Sequence, residues 1–139
     1  TIFSGDGSGT TYAIFVDDVV DLLLLQATHP AADGEAFNCV SNPQPTFRQF
    51  IGGYMQLAGH ERWLGIPVPL MRITAPLIEG YFRLRGEPQD LPALLGYVLS
   101  DTRVSVDKAK QLLDWEPAVS LEEGIQRCVP YLREIGLLS

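Results

Sequence analysis

Ionisable side chains that could carry chemistry are few in this chain and do not cluster along the sequence. Asp17 and Asp18 are adjacent and could form a metal or acid–base pair. However, Asp18 precedes an apolar helical pattern, a position typical of a helix N-cap. His29 and His60 stand apart from other candidate ligands, so the sequence predicts no metal site. No Ser/His/Asp or Cys/His arrangement is evident, and we assign no catalytic residue.

The two cysteines, Cys39 and Cys128, lie in apolar segments. Two distant cysteines do not make a disulfide framework, so we expect reduced thiols in a cytoplasmic protein. The formal net charge of −7 makes the chain acidic, which disfavours nucleic-acid and anionic-membrane partners. The apolar runs are too short to span a bilayer.

Alternating glycines near the start could suggest a phosphate-binding loop. Gly5, Gly7 and Gly9 lead into a predicted strand, whereas a nucleotide-binding loop leads out of a strand into a helix. We therefore predict a solvent-exposed turn without cofactor contacts.

Apolar periodicity and capping residues predict about six helices and three or four short strands. The strands are expected over 12–16, 35–40, 61–67 and 102–104, and the helices over 18–29, 47–58, 70–81, 93–99, 105–113 and from 121 onward. Thr46 with Gln49, and Ser120 with Glu123, have capping-box spacing. Prolines interrupt two of the helices, at Pro76 and Pro130. The strands are too few and too short for a complete doubly wound sheet, so the predicted fold class is a small mixed α+β domain.

Four segments then follow one another in a recognisable order. They are Gly5–Thr10 with Phe15–Val19, Ala36–Val40, Lys108–Pro117 and Leu121–Ile125. These segments resemble the "GDG…yVdDva", "yNv", "KA…LGW.P" and "leeGl" segments of the extended short-chain dehydrogenase/reductase family, which includes NAD-dependent epimerases and dehydratases. The resemblance covers nearly the whole chain.

The resemblance implies the substrate-side, C-terminal part of a two-domain α/β enzyme. In the family, an N-terminal Rossmann-type domain binds NAD or NADP, and a Tyr-x-x-x-Lys pair there carries the proton chemistry. This sequence has no such pair. Tyr81 with Arg85 is no substitute, because arginine holds its proton too firmly, and we predict a helix-surface pair. We expect residues 1–139 to form a single domain that binds no cofactor alone, with the NAD(P)-binding domain absent from this chain. The start at Thr1 rather than at a methionine favours a natural protein that extends upstream.

The chain departs from the nucleotide-sugar members of the family at two positions. Those members carry an arginine before the VDD motif and another upstream of KA, where a guanidinium clasps the diphosphate. Here the positions hold Thr11 and Leu95, and Arg103 is the nearest alternative cation. The resemblance thus favours a reductase- or dehydrogenase-like branch with a more apolar substrate. The candidate substrate-binding residues are Thr11, Tyr12, Phe15, Leu95 and Arg103.

The leading hypothesis is the substrate-binding portion of an NAD(P)-dependent epimerase, dehydratase or reductase. It is expected to be inactive alone, with a small-molecule substrate and the missing N-terminal domain as partners and a homo-oligomer left open. One alternative is the corresponding portion of a nucleotide-sugar epimerase or dehydratase. Another is a free-standing, non-enzymatic binding or assembly module. A true fragment should expose an apolar face, and so self-associate or bind a hydrophobic dye.

Overall fold

A computed structural model describes residues 2–59, 64–86 and 96–138, and the fold in these ranges is mostly helical. The helices are α1 (Val16–Thr28), α2 (Phe47–Leu57), α3 (Val68–Leu84), α4 (Asp107–Leu113) and α5 (Leu121–Glu134), and the strands are β1 (Ile2–Ser4) and β2 (Leu64–Ile66). A 3-10 turn covers Pro30–Ala32. The two strands pair in parallel with Ile2 opposite Leu64 and Ser4 opposite Ile66. The helical half of the predicted α+β architecture is therefore found, with far less strand than predicted.

Three of the predicted strands, over 12–16, 35–40 and 102–104, do not form. The chain has no regular strand pairing there and makes isolated backbone hydrogen bonds instead of a β-ladder. The Ser41 amide donates to the Ala13 carbonyl at 3.1 Å, and the Thr11 amide donates to the Pro45 carbonyl at 2.9 Å. The Gln44 side chain bonds both backbone groups of Val104, accepting at 3.1 Å and donating at 3.2 Å. A side chain thus takes the place of a neighbouring strand. The prediction over 61–67 is confirmed at 64–66, and its first residues lie outside the described ranges.

The helix predictions hold better, because caps and periodicity are local signals. Both halves of the capping box at Thr46 and Gln49 are present, and the Ser120 hydroxyl accepts from the Glu123 amide at 3.2 Å. Pro76 and Pro130 lie inside α3 and α5 as predicted. Of the helix predicted over 93–99, residues 96–98 are helical and 93–95 lie outside the described residues.

The main core lies where α1 and α4 meet the loops that follow them. Leu22 of α1 is 1% exposed, and Ala109 of α4 is equally buried. The cluster also contains Ala32, Val40, Val106, Leu113 and Trp115. Cys39 packs at its edge as a free thiol. No helix among the described residues is long and apolar enough to cross a membrane.

Candidate functional site

Asp18 is not the helix N-cap that the sequence predicts. Phe15 occupies that position with extended backbone angles, so Asp18 falls within the first turn of α1. There its carboxylate is 2% exposed and accepts from the Ala118 amide at 2.9 Å and the Val119 amide at 3.1 Å. Asp18 therefore ties α1 to the loop that leads into α5. The sequence predicted a structural role for Asp18 but not these partners.

The start of α1 is also clamped against α5 through Phe15. A Cβ at Gly124 would lie 3.0 Å from Phe15 Cδ2, so glycine allows the ring to rest on the helix. The Arg127 guanidinium lies over the same ring, 5.3 Å from its centroid, and bonds Asp17 Oδ2 at 2.7 Å. The hydrogen bond to Glu123, followed by the charges of Glu123 and Asp17, raises the pKa of Arg127.

The segment Lys108–Pro117 is likewise a packing element. The Lys108 ammonium donates to the Ala36 carbonyl at 3.0 Å and pairs with the Glu35 carboxylate. Trp115 is buried. Asp114 ends α4 with a left-handed backbone (φ 51°), a conformation that suits glycine and is tolerated by aspartate. These motif residues therefore hold the helices together.

The structure does not gather the predicted substrate-binding residues at one point. Thr11 is 6% exposed. The half-buried Tyr12 donates from its hydroxyl to the Thr102 carbonyl at 3.2 Å, which places it beside the exposed Arg103 in the chain. Phe15 instead lines a small cavity of about 50 Å³ against α5. Leu95 lies outside the described residues.

In the glycine-rich stretch over residues 5–10, which we call the glycine strap, Gly7 and Gly9 are buried while Asp6 and Ser8 are exposed. The predicted solvent-exposed turn is therefore wrong at Gly7 and Gly9. A Cβ on Gly9 would overlap the Val98 carbonyl oxygen. The next residue, Thr10, donates from its amide to the Ser100 carbonyl at 2.9 Å and from its hydroxyl to Asp101 Oδ1 at 3.3 Å. The alternation of glycines was the available signal for such a close backbone approach.

Sequence reasoning also missed Tyr97, which contacts two aromatic rings next to the strap. Its ring lies 6.0 Å from that of Tyr12 and 5.5 Å, edge-on, from that of Phe47. Nothing in the sequence spacing linked these three positions, because residues 12, 47 and 97 meet only through the tertiary fold.

Two backbone amides near the start of the strap are engaged within the protein. The Gly5 amide donates to the Ile66 carbonyl, and the Ser8 amide donates to Asp6 Oδ1. These amides are therefore committed to the protein and are not free for a pyrophosphate. Among residues 2–59, 64–86 and 96–138, no group of three His, Cys, Asp or Glu side chains could hold a metal ion.

Two depressions lie around the start of α5. One, of about 330 Å³, lies between loop 41–45 and residues 117–122. Another, of about 380 Å³, continues along the groove between α2 and α5. Both are lined by Gln49 and Glu122, and of the predicted substrate-binding residues that the structure describes, Thr11, Tyr12, Phe15 and Arg103, none lines either of them.

No family model matches the chain, but individual proteins do. It is 32% identical over 129 residues to a UDP-glucose 4-epimerase of Mycolicibacterium smegmatis, covering 93% of this chain and 33% of that protein. It is 28% identical to a 3beta-hydroxysteroid-dehydrogenase/decarboxylase of Arabidopsis thaliana, covering 90% of this chain and 32% of that protein. The chain thus spans about a third of the length of the relatives it matches.

Solved structures agree. A UDP-glucose 4-epimerase from Thermotoga maritima, crystallised with UDP-glucose, superposes with a TM-score of 0.63 at 27% identity over 97% of this chain and 35% of that one. An epimerase from Methanothermobacter thermautotrophicus gives 0.64 at 28% identity, over 96% of this chain and 32% of that one. The homologues and structural neighbours of this chain are therefore extended short-chain dehydrogenase/reductase proteins of the epimerase/dehydratase type, matched over their C-terminal part.

Proposed function

We propose that this chain is the substrate-side, C-terminal portion of an NAD(P)-dependent epimerase, dehydratase or reductase, and that it is inactive alone. The observation that carries the proposal is the partial match: 93% of the chain aligns with only a third of an epimerase. The packing roles of Asp18, Gly124 and Trp115 support it, since the motifs build a scaffold and leave the chemistry to be supplied from elsewhere.

In the proposed parent enzyme, the cofactor and the proton-transferring tyrosine belong to the nucleotide-binding domain. This chain would then close over the substrate with the surface next to the glycine strap. Tyr12, Leu95 and Arg103 are the proposed contacts, because Tyr12 bonds the backbone at Thr102 and Arg103 is exposed beside it.

We further propose the reductase- or dehydrogenase-like branch. Thr11 stands where nucleotide-sugar members carry an arginine, and its neutral side chain is almost fully buried. A threonine there supplies no charge-assisted bond to a diphosphate. The relationship to a hydroxysteroid dehydrogenase supports the same branch.

The second candidate is a nucleotide-sugar epimerase portion. The names of two matched proteins, both UDP-glucose 4-epimerases, favour it. Under that reading Arg103 would have to replace the missing cation. The third candidate is a non-enzymatic module. It would have the same packed helices as the enzyme portion but no nucleotide-binding domain before it in the chain.

One experiment separates the enzyme from the module: sequencing the coding region immediately upstream of Thr1. We expect a strand leading into GxxGxxG, followed later by Tyr-x-x-x-Lys. An initiator codon directly before Thr1, with neither motif, would instead favour the module.

A second experiment tests the branch in the complete enzyme, by calorimetric titration with UDP-glucose and with a 3-hydroxysteroid in the presence of cofactor. We expect the steroid to bind and UDP-glucose not to bind. Tight UDP-glucose binding that Arg103→Ala weakens, while Arg48→Ala does not, would assign the chain to the nucleotide-sugar branch.

A further inference from the structure

Residues 100–105, which lead into α4, have no regular secondary structure but are held at several points. We call them the tethered segment. The Ser100 carbonyl accepts from the Thr10 amide at 2.9 Å, and at the other end the Ser105 carbonyl accepts from Nδ2 of Asn38 at 2.9 Å. Groups from distant parts of the chain therefore fix a stretch that forms no helix or ladder of its own.

The two peptide groups that flank Arg103 are both held by side chains. The carbonyl of Thr102, in the peptide group before Arg103, accepts from the Tyr12 hydroxyl at 3.2 Å. The amide of Val104, in the peptide group after it, donates to Oε1 of Gln44 at 3.1 Å, and Nε2 of the same side chain donates to the Val104 carbonyl at 3.2 Å. A peptide group is planar, so holding the plane on each side of a Cα fixes the direction in which its side chain leaves the backbone.

The Arg103 side chain itself is exposed and makes no hydrogen bond, ion pair or ring contact with any residue over 2–59, 64–86 and 96–138. The carboxylate nearest to it in sequence, Asp101, accepts from the Thr10 hydroxyl at 3.3 Å instead. In contrast, Arg127 is paired with a carboxylate at 2.7 Å. Within the described chain, the fold thus fixes the backbone at Arg103 and leaves its guanidinium donors to an external group.

We propose that Gln44, together with the Tyr12 hydroxyl, is a positioning residue, which fixes the backbone at Arg103 and so directs the guanidinium at an oxygen acceptor of the substrate. This inference rests on the proposed function, in which Arg103 contacts the substrate. A guanidinium has only donors, so it recognises a carboxylate, phosphate, carbonyl or hydroxyl oxygen. Backbone freedom that Gln44 has already removed is not lost again when the substrate binds, and such preorganisation raises affinity.

Amide nitrogen relaxation, measured by NMR on the 139-residue chain, tests whether Gln44 fixes this backbone. We expect the Arg103 amide to have an order parameter of about 0.85, as in a rigid backbone, and Gln44→Ala to lower it toward about 0.6. Gln111→Ala, which changes an exposed glutamine of α4, should leave the order parameter unchanged. Circular dichroism checks that both variants keep their helices.

A double-mutant cycle in the complete enzyme tests whether Gln44 acts through Arg103. Val104 also packs against the main core, so weaker binding alone would not separate positioning from stability. In calorimetric titration with a 3-hydroxysteroid and cofactor, Arg103→Ala should raise the dissociation constant about thirtyfold, and Gln44→Ala about fivefold. Adding Gln44→Ala to Arg103→Ala should cause no further increase, because the group that Gln44 positions is already gone. The same cycle with UDP-glucose as the ligand covers the nucleotide-sugar branch.

The second tether is tested by Tyr12→Phe, which removes the hydroxyl and keeps the ring. It should raise the dissociation constant less than Gln44→Ala does, because Gln44 makes two bonds and Tyr12 one. The increase should again disappear in the Arg103→Ala background. Tyr131→Phe, at an exposed tyrosine of α5, is the matched control and should bind like the unaltered enzyme.

The proposal is overturned if the Arg103 amide stays equally ordered in Gln44→Ala. It is equally overturned if the double variant loses affinity by the product of the two single factors, since Gln44 would then act independently of Arg103. Both results leave the proposed function standing. If Arg103→Ala binds as tightly as the unaltered enzyme, or the complete enzyme binds neither ligand, the proposed substrate contact itself fails, and the positioning role of Gln44 fails with it.

Discussion

Helices α1 and α3 both expose apolar side chains, yet they are held in the protein in opposite ways. Helix α1 is anchored from its inner side: Leu22 is 1% exposed, and the Asp18 carboxylate binds two amides of the loop before α5. Helix α3 has one buried residue, Ala75, in a length of 17 residues. Position within the family motifs explains the contrast, because α1 begins inside a motif and α3 contains none.

The contrast shows what the family motifs do in this chain. They mark places where distant segments lock together, such as Phe15 on Gly124 and Lys108 on Ala36. A sequence can therefore carry a clear enzyme-family signature while that signature encodes packing. We refer below to α1, α4, α5 and their loops as the motif-built body, and to β2 with α3 as the arm.

The largest expected effect is loss of the Asp18 anchor in the motif-built body. Asp18→Ala leaves the Ala118 and Val119 amides without their charged acceptor in a buried site, which should lower the free energy of unfolding by about 3 kcal/mol. Urea unfolding followed by circular dichroism measures the change. The adjacent Asp17→Ala, which removes only an exposed ion pair, should have a small fraction of that effect. Equal effects would refute the anchor.

The next effect tests the glycine strap. Gly9→Ala should cost about 2 kcal/mol, because the new Cβ overlaps the Val98 carbonyl and the chain must shift. Gly52→Ala is the matched control: its Cβ would meet open space inside α2, so it should stabilise by about 0.5–1 kcal/mol through helix propensity. Thermal melts of both variants give the comparison. A neutral Gly9→Ala would mean that residues 96–100 do not press on the strap.

A smaller effect concerns Cys39 at the edge of the core. Burial, and then the charge of Asp18, raise the pKa of the Cys39 thiol. A raised pKa leaves less thiolate at any given pH, so alkylation should be slower than in the unfolded chain and its pH midpoint should be higher. Iodoacetamide labelling of a Cys128→Ser variant, with and without urea, measures this. A native midpoint at or below the unfolded one would contradict the burial of Cys39.

The smallest expected effect is on dye binding to the exposed apolar side chains of α1 and α3. The chain should bind the dye 1-anilinonaphthalene-8-sulfonate, because both helices expose apolar side chains. Leu77→Glu on the arm and Leu24→Glu on the body should each remove part of the fluorescence. Loss confined to Leu24→Glu would mean that the arm already has a cover.

The sequence predicted local structure well and tertiary roles poorly. The capping box at Thr46 followed from residue spacing and the positions of the helices from periodicity, because these signals lie within a few residues. The helix starts were less accurate: α1 begins before Asp18, and α3 covers 68–84 rather than 70–81. The predicted strand over 102–104 failed because its bonds go to the Gln44 side chain, a contact across 60 positions. Asp18 was predicted to be a helix cap because only its local sequence was visible. Its actual hydrogen-bond partner Ala118 lies 100 positions away in the chain.

The candidate site shows the same limit. Family position singled out Thr11, Tyr12, Phe15 and Arg103, but the fold separates Phe15 from the others by turning it onto α5. Tyr97 lies in no motif, and Gly9, although inside the glycine-rich motif, was predicted to be exposed to solvent and is buried. Their roles come from the close approach of two backbone segments, which one sequence does not reveal.

The most direct test of the two-region account is native hydrogen exchange of the 139-residue chain, read by mass spectrometry at low protein concentration. Local opening free energy follows buried packing, so peptides from α1, α4 and α5 should exchange slowly while peptides from α3 exchange much faster. Equal protection of α1 and α3 would contradict the division into an anchored body and a weakly packed arm.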